Sequence, residues 1–394
     1  MPCPALCAIR DPDLAAVVTN MATHDQPTTS AVVENGLMLI ERRVDFAYGY
    51  RMRCESCRAS SWLTAEDYAG SPEAMMTCSS CGEEFNFGPA VVDLRDAEDP
   101  ALDDTHLPQF AWYHTTTDPG WPLPSKPLTT DELKALRKWG WPEERLDSYR
   151  RRHESQALHL GTYEAAIESM LRRMRNQGDR NSQFYLNRVR LREGLAIEPG
   201  WRDENNAEAA AMTSIDLAIQ GVDVIRYLNA HESIGSLSIA LVRGAIESVQ
   251  RVVVPISQLV ERLDDATLER VGALRDEVHA VEAKHANDPM TTHDRLRQKH
   301  VARAGEPFVK SPAPQTYAAL AELERFVEDK YLGGVSPVIR RDFMQSVESP
   351  RTAATYENDL VWLNKFMGRV ALLARHDEVR EVLAGQSWQA VQPE

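Results

Sequence analysis

Two patterns of apolar residues divide this chain. From residue 36 to 95, and again from 109 to 255, apolar positions come in short runs rich in aromatic and β-branched residues, the mark of strands. GLMLIERRVDFAYGYRMR and GEEFNFGPAVVDLR are strand-forming in the first stretch, and FAWYHTTT, QFYLNRVRL, VDVIRYLN and SLSIALV in the second. Helices interrupt the second stretch. Thr130 and Asp131 cap DELKALRKW, and PEERLDSYRRRHESQ follows. The short apolar ALHL runs into Gly161 and Thr162, and Thr162 is the N-cap of TYEAAIESMLRRMRNQ, where Ala166, Met170 and Met174 share a face with Ile167 and Leu171. Beyond Pro255 the pattern turns helical: Leu268, Val271, Leu274, Val278 and Val281 repeat at three- and four-residue steps, and YAALAELERFVEDKYL and ENDLVWLNKFMGRVALLARH show similar faces. Residues 286–314, with Pro and Gly, read as a linker.

The cysteines add chemistry to the first stretch. Cys54 and Cys57 form one CxxC pair, Cys78 and Cys81 a second, and residues 58–77 separate them. That spacing is the zinc-ribbon pattern: each CxxC bends its chain so that two thiolates face one ion, and two such knuckles complete a tetrahedron. A site with four cysteine ligands has no open position, so this Zn²⁺ is expected to be structural and not catalytic. Cys3 and Cys7 fall in a polar N-terminal stretch and read as incidental. The resulting expectation is an α+β protein: a flexible arm over 1–32, a zinc ribbon over 33–98, a mixed-sheet domain over 105–255 and a helical domain over 256–394. DAEDPALDDTHLP marks the boundary between ribbon and sheet domain. No apolar run is long enough to span a membrane and no secretory signal opens the chain, so a cytoplasmic location is expected.

Neither GxGxxG nor GxxxxGK[ST] occurs, and HExxH and GxSxG are also missing, which argues against a Rossmann or P-loop nucleotide site, a zincin and an α/β-hydrolase. What remains is polar residues at strand ends: His114 in WYHTTT, Tyr163 in HLGTYEAA, and Glu232 in YLNAHES, which SLSIAL follows. In this order these pieces resemble the ADP-ribosyltransferase superfamily with a His-Tyr-Glu triad, particularly its bacterial toxin and phage-defence members, over about residues 109–255. The resemblance implies a split mixed β-sheet and NAD as substrate. It gives His114 the adenosine ribose, Tyr163 the nicotinamide face, and Glu232 the nicotinamide-ribose 2′-hydroxyl, where a carboxylate stabilises an oxocarbenium-like transition state. Thr115, Gly161, Thr162 and Ser238 complete the implied NAD contacts, Ser236 stands beside them, and Tyr185 or Tyr113 can take the stacking role. His231 adjoins Glu232, where a charged imidazole would lower the carboxylate pKa.

Charge bears on the target. The chain has 44 Lys and Arg against 59 Asp and Glu, a net charge of −15. Between Lys134 and Arg202, however, fifteen Lys and Arg face nine Asp and Glu, and thirteen of the fifteen are Arg. Such a stretch is either a solvated, acid-paired surface or a groove for NAD phosphates or a nucleic-acid strand. With a ribbon next to it, a nucleic-acid target is favoured over protein, and the C-terminal helices read as a cap, a dimer surface or a docking site for a neutralising antitoxin or chaperone. Other readings are a non-enzymatic zinc-ribbon adaptor that binds nucleic acid or protein, an NAD hydrolase, and an RNA 2′-phosphotransferase. His279, His285, His293 and His300 contain no i,i+4 pair and do not read as a metal site.

Overall fold

Eight strands, seven from the central region and one from the C-terminal segment, form two four-stranded sheets, and this arrangement brings the candidate residues together. β5 (Trp112–Thr116), β7 (Phe184–Leu191), β11 (Ile246–Val254) and β12 (Gln389–Ala390) make one sheet in the order β12-β11-β7-β5. β6 (Leu158–Leu160), β8 (Arg202–Asp203), β9 (Val224–Leu228) and β10 (Leu237–Leu241) make the other, in the order β6-β10-β9-β8. All pairs are antiparallel except β8 with β9. The edges β5 and β6 are joined by one bridge: the Tyr113 amide donates to the Gly161 carbonyl at 2.9 Å, and the Gly161 amide to the Tyr113 carbonyl at 3.0 Å. β10 is buried at all five residues, which explains why it is apolar at every position except Ser238, whose hydroxyl Asn229 satisfies.

This computed structural model describes residues 38–71, 73–123, 128–203, 211–260, 262–304, 308, 310–348 and 359–392. The expected arm over 1–32, with Cys3 and Cys7, lies outside the described residues. The molecule is a mixed α+β protein with a helical C-terminal region. The sequence boundaries do not separate independent cores, because Leu39–Glu394 is one compact unit. One apolar cluster takes Tyr50 and Met52 from the cysteine region, Ile167, Met170 and Leu171 from the Tyr163–Asn176 helix, and Phe343 and Phe366 from the C-terminal helices. Each such side chain contributes about 1.5–3 kcal/mol through removal from water. β12 pairs with β11, so the C-terminal end of the chain completes the central sheet.

The cysteine region consists of two hairpins. β1 (Tyr50–Arg53) pairs with β2 (Ser60–Leu63), and β3 (Met75–Thr77) with β4 (Glu84–Asn86). Two local expectations change. The cap of the Thr130–Lys138 helix is Thr129, not Thr130: its hydroxyl accepts from the Glu132 amide, and the Glu132 carboxylate reaches back to the Thr129 amide. The linker expected over 286–314 contains a helix, Thr292–Ala304; Asp294 in its first turn bonds Thr291 and Ser311, which anchors a segment whose Pro and Gly alone suggest a loop.

Candidate functional site

The two knuckles repeat one geometry. The Arg58 amide donates to the Cys54 carbonyl at 2.9 Å and the Gly82 amide to the Cys78 carbonyl at 3.0 Å. Arg58 and Gly82 occupy the same place after their CxxC pairs, and both adopt left-handed backbone, φ 63° and 75°. Glycine takes this conformation without penalty, whereas Arg58 does so at a cost. The four sulfur atoms lie within 4.8 Å of one another, with Cys54 to Cys81 at 3.8 Å and Cys57 to Cys78 at 3.6 Å. A Zn–S length of about 2.3 Å in a tetrahedron requires sulfur atoms about 3.8 Å apart. Cys54, Cys57, Cys78 and Cys81 therefore fit a metal ion such as zinc. The backbone amides of Cys81 and Ser80 favour thiolate at Cys78 and hold it down to about 6. The described residues contain no other His, Cys, Asp or Glu group close enough to hold an ion.

The second site is a cleft of about 100 Å³ where the two sheets meet. His114 enters it from β5, His159 from β6, Tyr227 from β9, Ser238 from β10, and Asn229 and Glu232 from the β9–β10 loop. His114 and Glu232, distant in sequence, thus line one cavity. The His114 ring stacks on Trp121 (4.4 Å between centroids, 17° between planes) and its Nδ1 donates to the His159 carbonyl at 2.9 Å. A carbonyl only accepts, so Nδ1 carries the proton and Nε2 the lone pair. Although part of the residue reaches the surface, these neighbours desolvate the ring and push its pKa down to about 3. His159 is also held neutral by burial, at about 4. Its Nδ1 meets the Tyr227 hydroxyl at 3.1 Å, while its buried Nε2 has no partner among the described residues. Glu232 accepts a 2.6 Å bond from the Arg172 guanidinium through Oε1. The cleft therefore presents two neutral imidazoles and one carboxylate already matched by a cation.

The remaining candidates divide. Ser238 and Ser236 both accept from Asn229 Nδ2, at 2.8 and 2.9 Å, and Ser238 lines the cleft. Thr115 also lines it, but its hydroxyl is committed to the Ala166 carbonyl at 2.8 Å. Gly161 has a steric reason: an added Cβ would lie 2.7 Å from Ala165 Cβ and 2.8 Å from Ser238 Oγ. Thr162 is the helix N-cap, accepting from the Ala165 amide, and does not line the cleft.

Tyr163 is not in the cleft. Its ring is buried against Tyr113 and Phe46, and its hydroxyl donates to the Leu372 carbonyl at 3.0 Å. The first helical position points into the shared core, since the C-terminal helices cover it. Tyr113 lines the cleft with its hydroxyl tied to Glu41, and Tyr185 lies instead beneath Arg251. The tyrosine that the cleft offers is Tyr227, the direct cross-strand partner of Ser238. Sequence reasoning passed over it and His159. The alternation of VIRYLN carries a usable signal, because Tyr227 and Asn229 are two apart and so share a face. His231 is pushed down by burial and by the Arg172 cation, against the opposing pull of Glu232, which disfavours a charged imidazole beside that carboxylate.

Comparison with known families, curated proteins and solved structures finds no match.

The arginine-rich window is mostly paired. Arg137 meets Glu143, Arg150 meets Asp147, Arg173 meets Asp179, Arg175 meets Asp342, Arg180 meets Glu348, Arg188 meets Glu41, and Arg202 meets Glu198. This is the acid-paired alternative, not a row of open cations. No helix among the described residues is long and apolar enough to cross a membrane.

Proposed function

We propose that the cleft is the active site of an NAD-dependent ADP-ribosyltransferase that transfers ADP-ribose to a macromolecular acceptor, with the four cysteines holding a structural Zn²⁺. The observation that carries the reading is the convergence of His114 and Glu232, with Tyr227, Asn229 and Ser238, on one cavity between two sheets. Its volume of about 100 Å³ is below the usual range for ligand pockets, about 300–1,000 Å³. It accommodates one ring or sugar of NAD, and the rest of the dinucleotide lies outside it. The buried His159 Nε2, without a partner among the described residues, is a polar atom that a bound hydroxyl or amide would satisfy.

In this reading Glu232 Oε1 keeps the Arg172 bond, which fixes the side chain, and Oε2 accepts the ribose 2′-hydroxyl. As the bond to nicotinamide breaks, positive charge grows on the ribose and the preoriented carboxylate stabilises it. His114 Nε2 is an acceptor for a sugar hydroxyl. Tyr227 takes the ring-stacking role that the resemblance gives to Tyr163. The bound Zn²⁺ supplies stability to the hairpins and no chemistry in the cleft. The arginine pairing removes the charge argument for a nucleic-acid acceptor over a protein one, and the experiment below decides between them. The toxin or phage-defence role and a neutralising partner remain part of the proposal.

The test uses purified protein, labelled NAD, and separate RNA, DNA and protein fractions. The expected outcome is nicotinamide release with label in one fraction, reduced about 100-fold or more by Glu232→Gln. Release without transfer would instead identify an NAD hydrolase. If wild type neither transfers nor releases nicotinamide, the reading is wrong.

A further inference from the structure

The Glu232 loop is held from the cysteine region. Asp93, Leu94 and Arg95, which follow the second hairpin, run between the β1–β2 hairpin and the loop. On the hairpin side, the Asp93 amide donates to the Arg51 carbonyl at 2.8 Å, Arg51 Nη1 donates to the Leu94 carbonyl at 3.0 Å, and Ser60 bonds the Asp93 carboxylate. Arg51 and Ser60 flank the Cys54–Cys57 knuckle on β1 and β2. On the loop side, the Arg95 amide donates to the Gly235 carbonyl at 2.8 Å, and its guanidinium reaches the Ile234 carbonyl at 3.3 Å and Ser233 Oγ at 3.2 Å.

Ser233 follows Glu232 directly and is fully buried with φ 47°, a left-handed conformation that a non-glycine residue keeps only where its surroundings impose it. Two groups do so. Arg95 holds the hydroxyl, and Glu168 accepts from the Ser233 amide at 2.8 Å. Glu168 in turn accepts from the Tyr48 hydroxyl at 2.9 Å, and Tyr48 lies under the Arg95 guanidinium, 4.0 Å from its carbon. Gly235 allows the close approach: an added Cβ would lie 2.9 Å from the Asp93 carbonyl oxygen.

We propose that Arg95 is a positioning residue for Glu232, and that metal occupancy of the cysteine cluster reaches the cleft through the Asp93–Arg95 strap. The ion fixes the knuckle, the knuckle fixes the spacing of Arg51 and Ser60, and these set where the strap presents Arg95. The catalytic part rests on the active-site reading above; the mechanical part does not.

Two measurements separate them. The first is amide hydrogen exchange of the full chain, with and without a chelator, and in Arg95→Ala. The proposal expects exchange over residues 229–236 to rise about tenfold or more in both cases while β7 and β10 stay protected. Unchanged exchange in the loop, or a rise spread evenly through β7 and β10, overturns it. The second is turnover. Arg95→Ala is expected to lower kcat about tenfold or more with KM for NAD changed less than about threefold, because the carboxylate is displaced and the cleft is kept. Ser233→Ala removes only the hydroxyl partner and is expected to reproduce the exchange change in part, even if Arg95→Ala folds poorly. A loop that loosens in a wild-type protein lacking NAD turnover would sustain the coupling and reject the active-site reading. A kcat equal to wild type in Arg95→Ala, with turnover otherwise confirmed, overturns the positioning role.

Discussion

The cysteine cluster and the cleft are built in opposite ways. The cluster takes its ligands from two tight turns, each closed by an amide-to-carbonyl bond within five residues, so almost all of its geometry is local. The cleft takes His114, His159, Tyr227, Ser238 and Glu232 from four strands and a loop, and it exists only once two sheets have met at the Tyr113–Gly161 bridge. A site made of turns can be read from residue spacing. A site made of strand ends depends on register and on which neighbour covers each face, and both are properties of the whole fold.

The strongest way to break the contrast is to remove the metal. Replacing Cys54 and Cys57 by Ser should abolish stoichiometric zinc in elemental analysis and forfeit binding free energy on the order of 10 kcal/mol that otherwise goes into folding the hairpins. Amide exchange across β1 to β4 should then become fast. Protection equal to wild type there would show the cluster to be dispensable.

Gly161→Ala attacks the cleft with one methyl group. With Ala165 Cβ and Ser238 Oγ at under 3 Å, the substitution should cost about 1–3 kcal/mol and appear as a lower midpoint in urea unfolding. No change in midpoint would mean that the sheets part easily at β6.

Titration sharpens the comparison, because three half-buried groups in and beside the cleft are perturbed by desolvation. His114 falls from 6.5 to about 3 and His159 from 6.5 to about 4, so the unfolded chain binds more protons than the fold between those values. Their stabilisation is complete above pH 6.5 and is lost as pH falls. Burial raises Glu168 from 4.5 to about 8, so its contribution has the opposite sign: complete below pH 4.5, and lost as pH rises through 8. Stability should therefore climb towards pH 6.5 and decline above it. Glu168→Gln should flatten the upper limb and His114→Gln the lower limb in unfolding midpoints measured across pH. An upper limb unchanged in Glu168→Gln would rule out its role there.

The smallest effect separates two tyrosines. Tyr163→Phe loses one hydrogen bond to the Leu372 carbonyl, about 1 kcal/mol of stability, and should leave NAD turnover within about twofold. Tyr227→Leu, which removes the stacking ring, should lower turnover more than it lowers stability. Turnover equal to wild type in Tyr227→Leu would take the stacking role away from Tyr227.

Much of this was legible from spacing. The two CxxC pairs, the strands around His114 and before Gly161, and the Thr162 cap follow from rules acting over a few residues. Tyr163 was misplaced because its direction depends on helices more than 200 residues downstream, and the contact with Leu372 has no local signature. His159 sits in a three-residue strand too short to show alternation. The helix over Thr292–Ala304 was missed because its anchor, Asp294, bonds Ser311 across a loop, while the Pro and Gly around it argue locally for a linker.

The paired arginines have a kinetic consequence. Each bound carboxylate cancels its guanidinium at a distance, so at low ionic strength, where the Debye length grows to about 30 Å, an approaching polyanion meets the whole-chain charge of −15 and not a basic stripe. Encounter with such a partner is slowed by repulsion, and added salt speeds it by screening. The association rate of this protein with a polyanion should rise with ionic strength, opposite to the usual behaviour of a nucleic-acid binder.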